Sequence, residues 1–223
     1  MPEERAPETP LLPSVVWLVP WAGLILLPSA GQGPVGSRLG VLFAELMMGL
    51  PLLLATPRAL RSAIMPFPPL SRGWKKALLL APPLALAYQQ VHQWLSGLLP
   101  DAEAAEEALR RALTPGNALE GVLIGASLLV AAPVMEELFF RGLLPWLWER
   151  RWRRGALAGP ALIFALAHAS LRALPSLLLL GLLLGWLRRR SGSLLPGMLL
   201  HAAVNLSGFL HLLLLPELPM LPS

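Results

Sequence analysis

The sequence lacks cysteine and is poor in charged residues. None of its 223 residues is cysteine, which excludes disulfides, thiolate catalysis and any zinc site built on thiolates. Charged residues make up 14% and hydrophobic residues 55%, whereas soluble domains average about 25% charged and about 45–50% apolar. The mean hydropathy of +0.61 agrees with this difference. The composition therefore excludes an ordinary soluble domain and a disordered chain.

Charge is absent from three long stretches, which cover residues 9–37, 77–100 and 191–216. A run of about 18 or more uncharged apolar residues is typical of a transmembrane helix. The sequence predicts an all-α fold, a polytopic transmembrane helix bundle of about seven membrane segments. These segments run approximately over Pro13–Ala30, Leu39–Ala55, Ala77–Leu99, Leu119–Leu147, Pro160–Leu171, Pro175–Leu187 and Leu194–Leu215. The fifth and sixth are short for a full span, which predicts a short or re-entrant pair.

The basic residues indicate membrane topology. Arginine outnumbers lysine 16 to 2, and the net charge is +5. With the amino terminus in the cytoplasm, the inside loops carry 13 basic residues and the outside loops 4, as the positive-inside rule requires. We therefore expect an integral membrane protein that contacts the lipid bilayer and does not bind nucleic acid. The arginine-rich, lysine-poor composition is consistent with a bacterial cytoplasmic membrane.

The first chemical motif is Glu136-Glu137-Leu-Phe-Phe-Arg141. On a helix, Glu137 and Arg141 lie four residues apart on one face and can form an ion pair. Glu136 lies about 100° around the helix from Glu137, so its carboxylate remains available for chemistry. Pro133 removes a backbone N–H one turn earlier and opens the helical hydrogen-bond ladder. The alternative, a clasp that only fixes helix packing, explains Glu137 and Arg141 but leaves Glu136 unexplained.

Two further motifs place polar groups on apolar helices. Phe164-Ala-Leu-Ala-His168 sets an aromatic ring beside an imidazole, and His201-Ala-Ala-Val-Asn205 sets two hydrogen-bond donors on one face. Packed histidines and interhelical hydrogen bonds are the simpler explanations. Counted along their helices, however, Glu136, His168 and His201 lie about 16, 12 and 10 Å from the cytoplasmic side. The three motifs can therefore meet in one layer of the membrane.

Glu-Glu-x-x-x-Arg, Phe-x-x-x-His and His-x-x-x-Asn, in this order on successive hydrophobic helices, resemble the CAAX-protease and bacteriocin-processing family of glutamate-type intramembrane endopeptidases. The resemblance covers about residues 121–209. It implies hydrolysis of a membrane-associated peptide or protein without a cofactor. It also implies roles for the residues at the matching positions: Glu136, assisted by His168, activates a water, His201 and Asn205 stabilise the oxyanion, and Glu137, Arg141 and Phe164 support the site.

The domain organisation follows from where the motifs lie. We expect one structural domain, with amino-terminal membrane segments over 1–118, a catalytic transmembrane core over 119–215 and a tail over 216–223. The first part includes a short extracytoplasmic amphipathic helix that begins at Asp101, a residue type favoured as an N-cap. Its acidic and basic residues are spaced four apart, as in a solvated surface helix.

Two other functions are open to the same residues. Glu136, His168 and His201 could bind zinc in a metal-dependent intramembrane protease, although this leaves Asn205 without a role and the sequence contains no His-Glu-x-x-His motif. A non-enzymatic membrane partner or a proton-coupled transporter could use the same groups to relay protons. The sequence shows no paired half-repeats of the kind that many transporters have.

Overall fold

The computed structural model describes residues 73–98, 110, 113–152, 154–168 and 170–214. In this part, the chain forms five helices and no strand, which confirms the all-helical prediction there. The seven predicted segments are not confirmed, because the first two lie outside the described residues, as does nearly all of the helix predicted from Asp101. The five helices are α1 (Gly73–Gly97), α2 (118–152), α3 (Ala158–Ala167), α4 (Leu174–Ser191) and α5 (Leu195–Leu214).

Two of these helices are long and apolar enough to cross a membrane. They are Ala118–Glu149 within α2, with a mean hydropathy of 1.9, and Leu195–Leu214, with 1.5. Only 22% and 33% of their most apolar windows are buried in the protein. A core helix of a soluble protein would bury most of such a window, so this exposed apolar surface suits contact with lipid.

Helix α4 is longer than the sequence predicted. It has 18 residues instead of 13, because the three arginines at 188–190 continue the helix to Gly192. Gly192 adopts a φ of 69°, a left-handed conformation that favours glycine and ends the helix. Long arginine side chains at the end of an apolar helix can reach the membrane surface, so charge does not terminate the helix there. At about 27 Å, α4 is close to the thickness of the hydrocarbon core.

Helix α2 contains two π-helical turns, Ser127–Ala131 and Leu138–Leu143. In the first, the N–H of Ala132 donates to the carbonyl of Ser127, five residues earlier. In the second, the N–H of Leu144 donates to the carbonyl of Phe139, also five residues earlier. π-Helical turns occur often at functional sites. Here they flank the α-helical turn that carries both glutamates of the first motif.

Small residues let the helices pack closely. A Cβ added at Gly181 of α4 would lie 3.1 Å from Ala161 of α3, which is the close approach that small residues allow in membrane bundles. Helix α5 packs along α1 and also against α2 and α4. The buried core at these contacts includes Phe140, Phe164, Leu180, Leu184 and Leu200.

Helix α1 is tied to α4 and α5 by polar contacts. The hydroxyl of Ser176 donates to the carbonyl of Ala173 at 2.9 Å and lies 2.7 Å from Nδ1 of His92. Gln93 Nε2 lies 2.8 Å from His211 Nε2. His92 and His211 therefore contribute to helix packing at a place separate from the three motifs.

Candidate active site

Arg141 and Glu137 form a buried ion pair. Nη1 of Arg141 lies 2.8 Å from Oε1 of Glu137, and both side chains are almost completely buried. Nη2 of Arg141 donates a long hydrogen bond of 3.4 Å to the carbonyl of Gly181. Its guanidinium lies over the ring of Phe164, 4.2 Å from the centroid, in a cation–π contact. The pairing predicted from the spacing of four residues is thus present in the structure.

His201 lies between the two glutamates. Its Nδ1 is 3.4 Å from Oε1 of Glu137, and its Nε2 is 3.8 Å from Oε2 of Glu136. The side chain of Glu136 is 14% exposed, and its Oε2 is buried without a hydrogen-bond partner in the described part of the chain. We call Glu136, Glu137, Arg141 and His201 the glutamate–histidine cluster.

The charges of the glutamate–histidine cluster balance in two protonation states. Two carboxylates, one guanidinium and a protonated His201 sum to zero. A protonated Glu136 beside a neutral His201 also leaves a net charge of zero. Uncompensated charge is costly in apolar surroundings. Either arrangement leaves the glutamate–histidine cluster without a net charge in the bundle.

Gly197 lets Glu137 approach α5. A Cβ at this position would lie 2.6 Å from Oε2 of Glu137, too close for any side chain. Gly197 is one helical turn before His201 and on the same face of α5. The backbone at Gly197 and the imidazole of His201 therefore lie next to the same carboxylate, that of Glu137. Sequence reasoning missed this residue, although a glycine four positions before a motif histidine was a usable signal.

His168 is held by its own helix. Its Nδ1 lies 2.8 Å from the carbonyl of Phe164. A carbonyl only accepts, so Nδ1 is the donor, and Nε2 is an acceptor in the neutral ring. The ring of Phe164 lies 4.7 Å from that of His168 and 5.8 Å from that of His201, measured between centroids. Phe164 therefore packs against both histidines. The sequence motif had predicted its contact with His168 but not the one with His201.

The structure places His201, and not His168, beside Glu136. Within the described residues, no hydrogen bond or ion pair joins His168 to Glu136, whereas His201 is within 4 Å of both carboxylates. His168 stands exposed at the end of α3. The resemblance implied that His168 assists Glu136. Since the two side chains do not touch, this assistance would act through a water or the substrate between them.

Asn205 fills the opening that Pro133 leaves in α2. Its Nδ2 donates to the carbonyl of Leu128 at 2.9 Å. That carbonyl has no helical donor, because the N–H of Ala132 is bonded to Ser127 and Pro133 has no N–H. A side-chain amide carries two N–H bonds, so Asn205 keeps a second one for another acceptor.

The proposed zinc ligands do not assemble in this arrangement. Among the described residues, no group of three His, Cys, Asp or Glu side chains lies close enough to hold a metal ion. Glu136 and His201 are neighbours, and His168 is the member of the candidate set that stands apart. The geometry fits paired carboxylate and imidazole chemistry better than a three-ligand site.

The comparisons with known proteins fall on the segment that carries the site. Residues 118–207 match the family model Rce1-like, described as type II CAAX prenyl endopeptidase Rce1-like. This segment is similar to the Rce1-like family. The Rce1-like segment runs from the start of α2 into α5 and contains all three motifs. No curated protein matches the chain, and no solved structure matches it.

The similarity to the Rce1-like family suggests a CAAX-type intramembrane protease. The family is membrane-embedded, and the two long apolar helices described above agree with that location. Helix α1 precedes the Rce1-like segment in the sequence but packs directly against α5, which carries His201 and Asn205.

Proposed function

We propose that this protein is an intramembrane endopeptidase that hydrolyses a peptide bond of a membrane-associated peptide or protein, with a water activated by Glu136. One observation carries the proposal: the largely buried carboxylate of Glu136 has an oxygen without a hydrogen-bond partner, 3.8 Å from Nε2 of His201. A general base needs a carboxylate oxygen that is free to accept a proton and a neighbour that adjusts to the transferred proton. The Rce1-like match supports the same reaction class.

The reaction begins with a proton transfer to Glu136. The carboxylate takes a proton from the water, and the water oxygen attacks the carbonyl carbon of the peptide bond. The substrate oxygen then carries one negative charge, and the glutamate–histidine cluster has gained one positive charge. Since the two charges arise together in apolar surroundings, each stabilises the other. Glu136 then gives the proton to the leaving nitrogen as the C–N bond breaks, which yields an amine and a carboxylic acid.

His201 and Asn205 are the proposed donors to the oxyanion. Oε1 of Glu137 lies 3.4 Å from Nδ1 of His201, so its negative charge favours the orientation that leaves Nε2 and its proton for the reacting centre. Arg141 compensates the charge of Glu137. The N–H of Asn205 that is not bonded to Leu128 is the second donor. Removing one such donor costs about 3–4 kcal/mol of transition-state stabilisation in other hydrolases.

His168 has a proposed supporting role at the water. The hydrogen bond from Nδ1 to the Phe164 carbonyl fixes the ring, so that Nε2 can accept the second hydrogen of the water. Contacts of this kind often form only when substrate and water are bound.

The test compares cleavage of membrane peptides by the wild type and by Glu136→Gln. The full-length protein in lipid nanodiscs is incubated with membrane peptides in ¹⁸O water, and the products are analysed by mass spectrometry. We expect new carboxyl termini that carry ¹⁸O with the wild type and none with Glu136→Gln. Glu120→Gln is the matched control, because Glu120 caps the start of α2 far from the cluster. Products from Glu136→Gln at the wild-type rate would contradict the proposal, as would their absence with the folded wild type.

A further inference from the structure

Helices α2, α3 and α4 line a cavity that is also bordered by Arg141 of the glutamate–histidine cluster. Its volume is about 200 Å³, and it opens between Glu149, Arg188 and Arg189. Apart from Arg141, the deeper walls are apolar or small, with Trp146, Ala161, Gly181 and Gly185 among them. A shallower depression of about 640 Å³ beside the loop at 155–158 shares Glu149 and Arg189 with it. We call the two together the arginine cleft.

Arg188 lines the arginine cleft and has one donor that is not hydrogen-bonded within the described part of the chain. Its side chain is half-buried, and its Nε is buried without a hydrogen-bond partner among the described residues. Arg189 differs, because its guanidinium lies 3.7 Å from the carboxylate of Glu149, with both side chains largely exposed. A buried donor without an acceptor is unfavourable, so a ligand that brings an acceptor to Arg188 would be stabilised there.

The sequence segments next to the cleft residues are strongly basic. Residues 149–154 and 188–190 contain seven arginines and one glutamate. Trp152 and Trp186, at the same end of the bundle, are 57% and 52% exposed. Exposed tryptophans beside arginines are typical of the level where a membrane meets water. The mouth of the cleft therefore lies where phospholipid headgroups are found, and its walls continue towards the level of the acyl chains.

We propose that the arginine cleft binds an anionic phospholipid, with the phosphate on Arg188 and Arg189 and the start of an acyl chain against the apolar walls. A guanidinium donates two parallel hydrogen bonds to a phosphate and so matches this group in charge and geometry. Basic pockets between membrane helices recognise anionic headgroups in the same way. The phosphate supplies an acceptor beside the guanidinium of Arg188.

The test measures lipid binding to the detergent-purified full-length protein by native mass spectrometry. The wild type is titrated with dioleoyl phosphatidylglycerol and, in parallel, with dioleoyl phosphatidylcholine. We expect the anionic lipid to bind about tenfold more tightly, and Arg188→Gln to remove most of that preference. Arg190→Gln is the matched control, because it removes the same charge from the same helix at an exposed residue that does not line the cleft.

Three results would overturn the proposal. They are equal affinities of the wild type for the two lipids, equal losses in Arg188→Gln and Arg190→Gln, and displacement of the lipid by inorganic phosphate alone.

If Arg188→Gln does not fold, Gly185→Ala carries the test. The added methyl would lie 2.7 Å from Leu157 Cδ1 and narrow the cleft without removing a charge. Unchanged affinity in a folded Gly185→Ala would then overturn the proposal. The measurement involves no peptide cleavage, so its outcome is separate from that of the protease test.

Discussion

The side-chain amide of Asn205 donates a 2.9 Å hydrogen bond to the backbone carbonyl of Leu128, 77 residues earlier in the chain. This contact joins α5 to the π-helical turn of α2 where Pro133 and the bond from Ala132 to Ser127 leave the carbonyl without a helical donor. Asn205 of the third motif thus stabilises the helix that carries the first motif. Asn205 accordingly has a structural function beside its proposed catalytic one.

The structural function of Asn205 predicts that substitutions of Asn205 and Pro133 have non-additive effects on the free energy of unfolding. We expect Asn205→Ala to lower the free energy of unfolding by about 1–3 kcal/mol, because it leaves the Leu128 carbonyl without a partner. In a Pro133→Ala background, the N–H restored at position 133 can reach that carbonyl, so the same substitution should cost less. Unfolding of the wild type, both single variants and the double variant measures the difference. Strictly additive effects would contradict this role.

The proposed catalytic function of Asn205 predicts a loss that Pro133→Ala does not repair. In the Pro133→Ala background, where the restored N–H can bond to the Leu128 carbonyl, we expect Asn205→Ala to reduce kcat by about 10²–10³. The reason is that the oxyanion loses a donor. The comparison is made between Pro133→Ala alone and the double variant, at the same temperature and substrate concentration. Equal kcat values in the two proteins would assign Asn205 to structure alone.

The buried ion pair predicts that losing one charge is worse than losing both. Glu137→Gln leaves Arg141 without its carboxylate inside the bundle, and we expect a loss of about 3–5 kcal/mol in the free energy of unfolding. Adding Arg141→Gln removes the stranded cation, so the double variant should be more stable than Glu137→Gln alone. Denaturant unfolding in detergent measures both. A double variant less stable than either single variant would refute the explanation.

Substitutions of His168 and His201 are expected to differ in their effect on stability. His168 is exposed, so His168→Ala should lower kcat by about 10²–10⁴ and leave stability almost unchanged. His201 lies buried between two carboxylates, so His201→Ala should lower both kcat and the thermal unfolding temperature. Measurements of kcat and of the unfolding temperature on both variants and the wild type test this difference. Full activity in His168→Ala would remove it from the mechanism.

A metal-independent mechanism predicts insensitivity to chelators. With water activated by Glu136, peptide cleavage by the wild type should proceed at an unchanged rate after incubation with EDTA or 1,10-phenanthroline and gel filtration. Apo-protein supplemented with zinc should show the same rate. A loss of activity that zinc alone restores would favour zinc bound by Glu136, His168 and His201 instead.

Much of the local structure was predictable, because it depends on short spacings. The hydrophobic runs predicted α2 and α5 to within a few residues, apart from the charged end of α2, and the spacing of Glu137 and Arg141 predicted their ion pair. The effect of Pro133 on the helix ladder was also predictable, since it depends on one missing N–H. The length of α4 was not, because charged residues were taken as the end of a segment that in fact continues as helix.

By itself, the sequence determined the helices, the three motifs and the face of its own helix on which each motif residue lies. The tertiary structure decided which residues meet: His201 instead of His168 beside Glu136, and Asn205 on the Leu128 carbonyl. Helical periodicity specifies direction only within one helix. The rotation and depth of neighbouring helices depend on packing, here on close approaches at Gly181 and Gly197, and such contacts are not visible in local spacing.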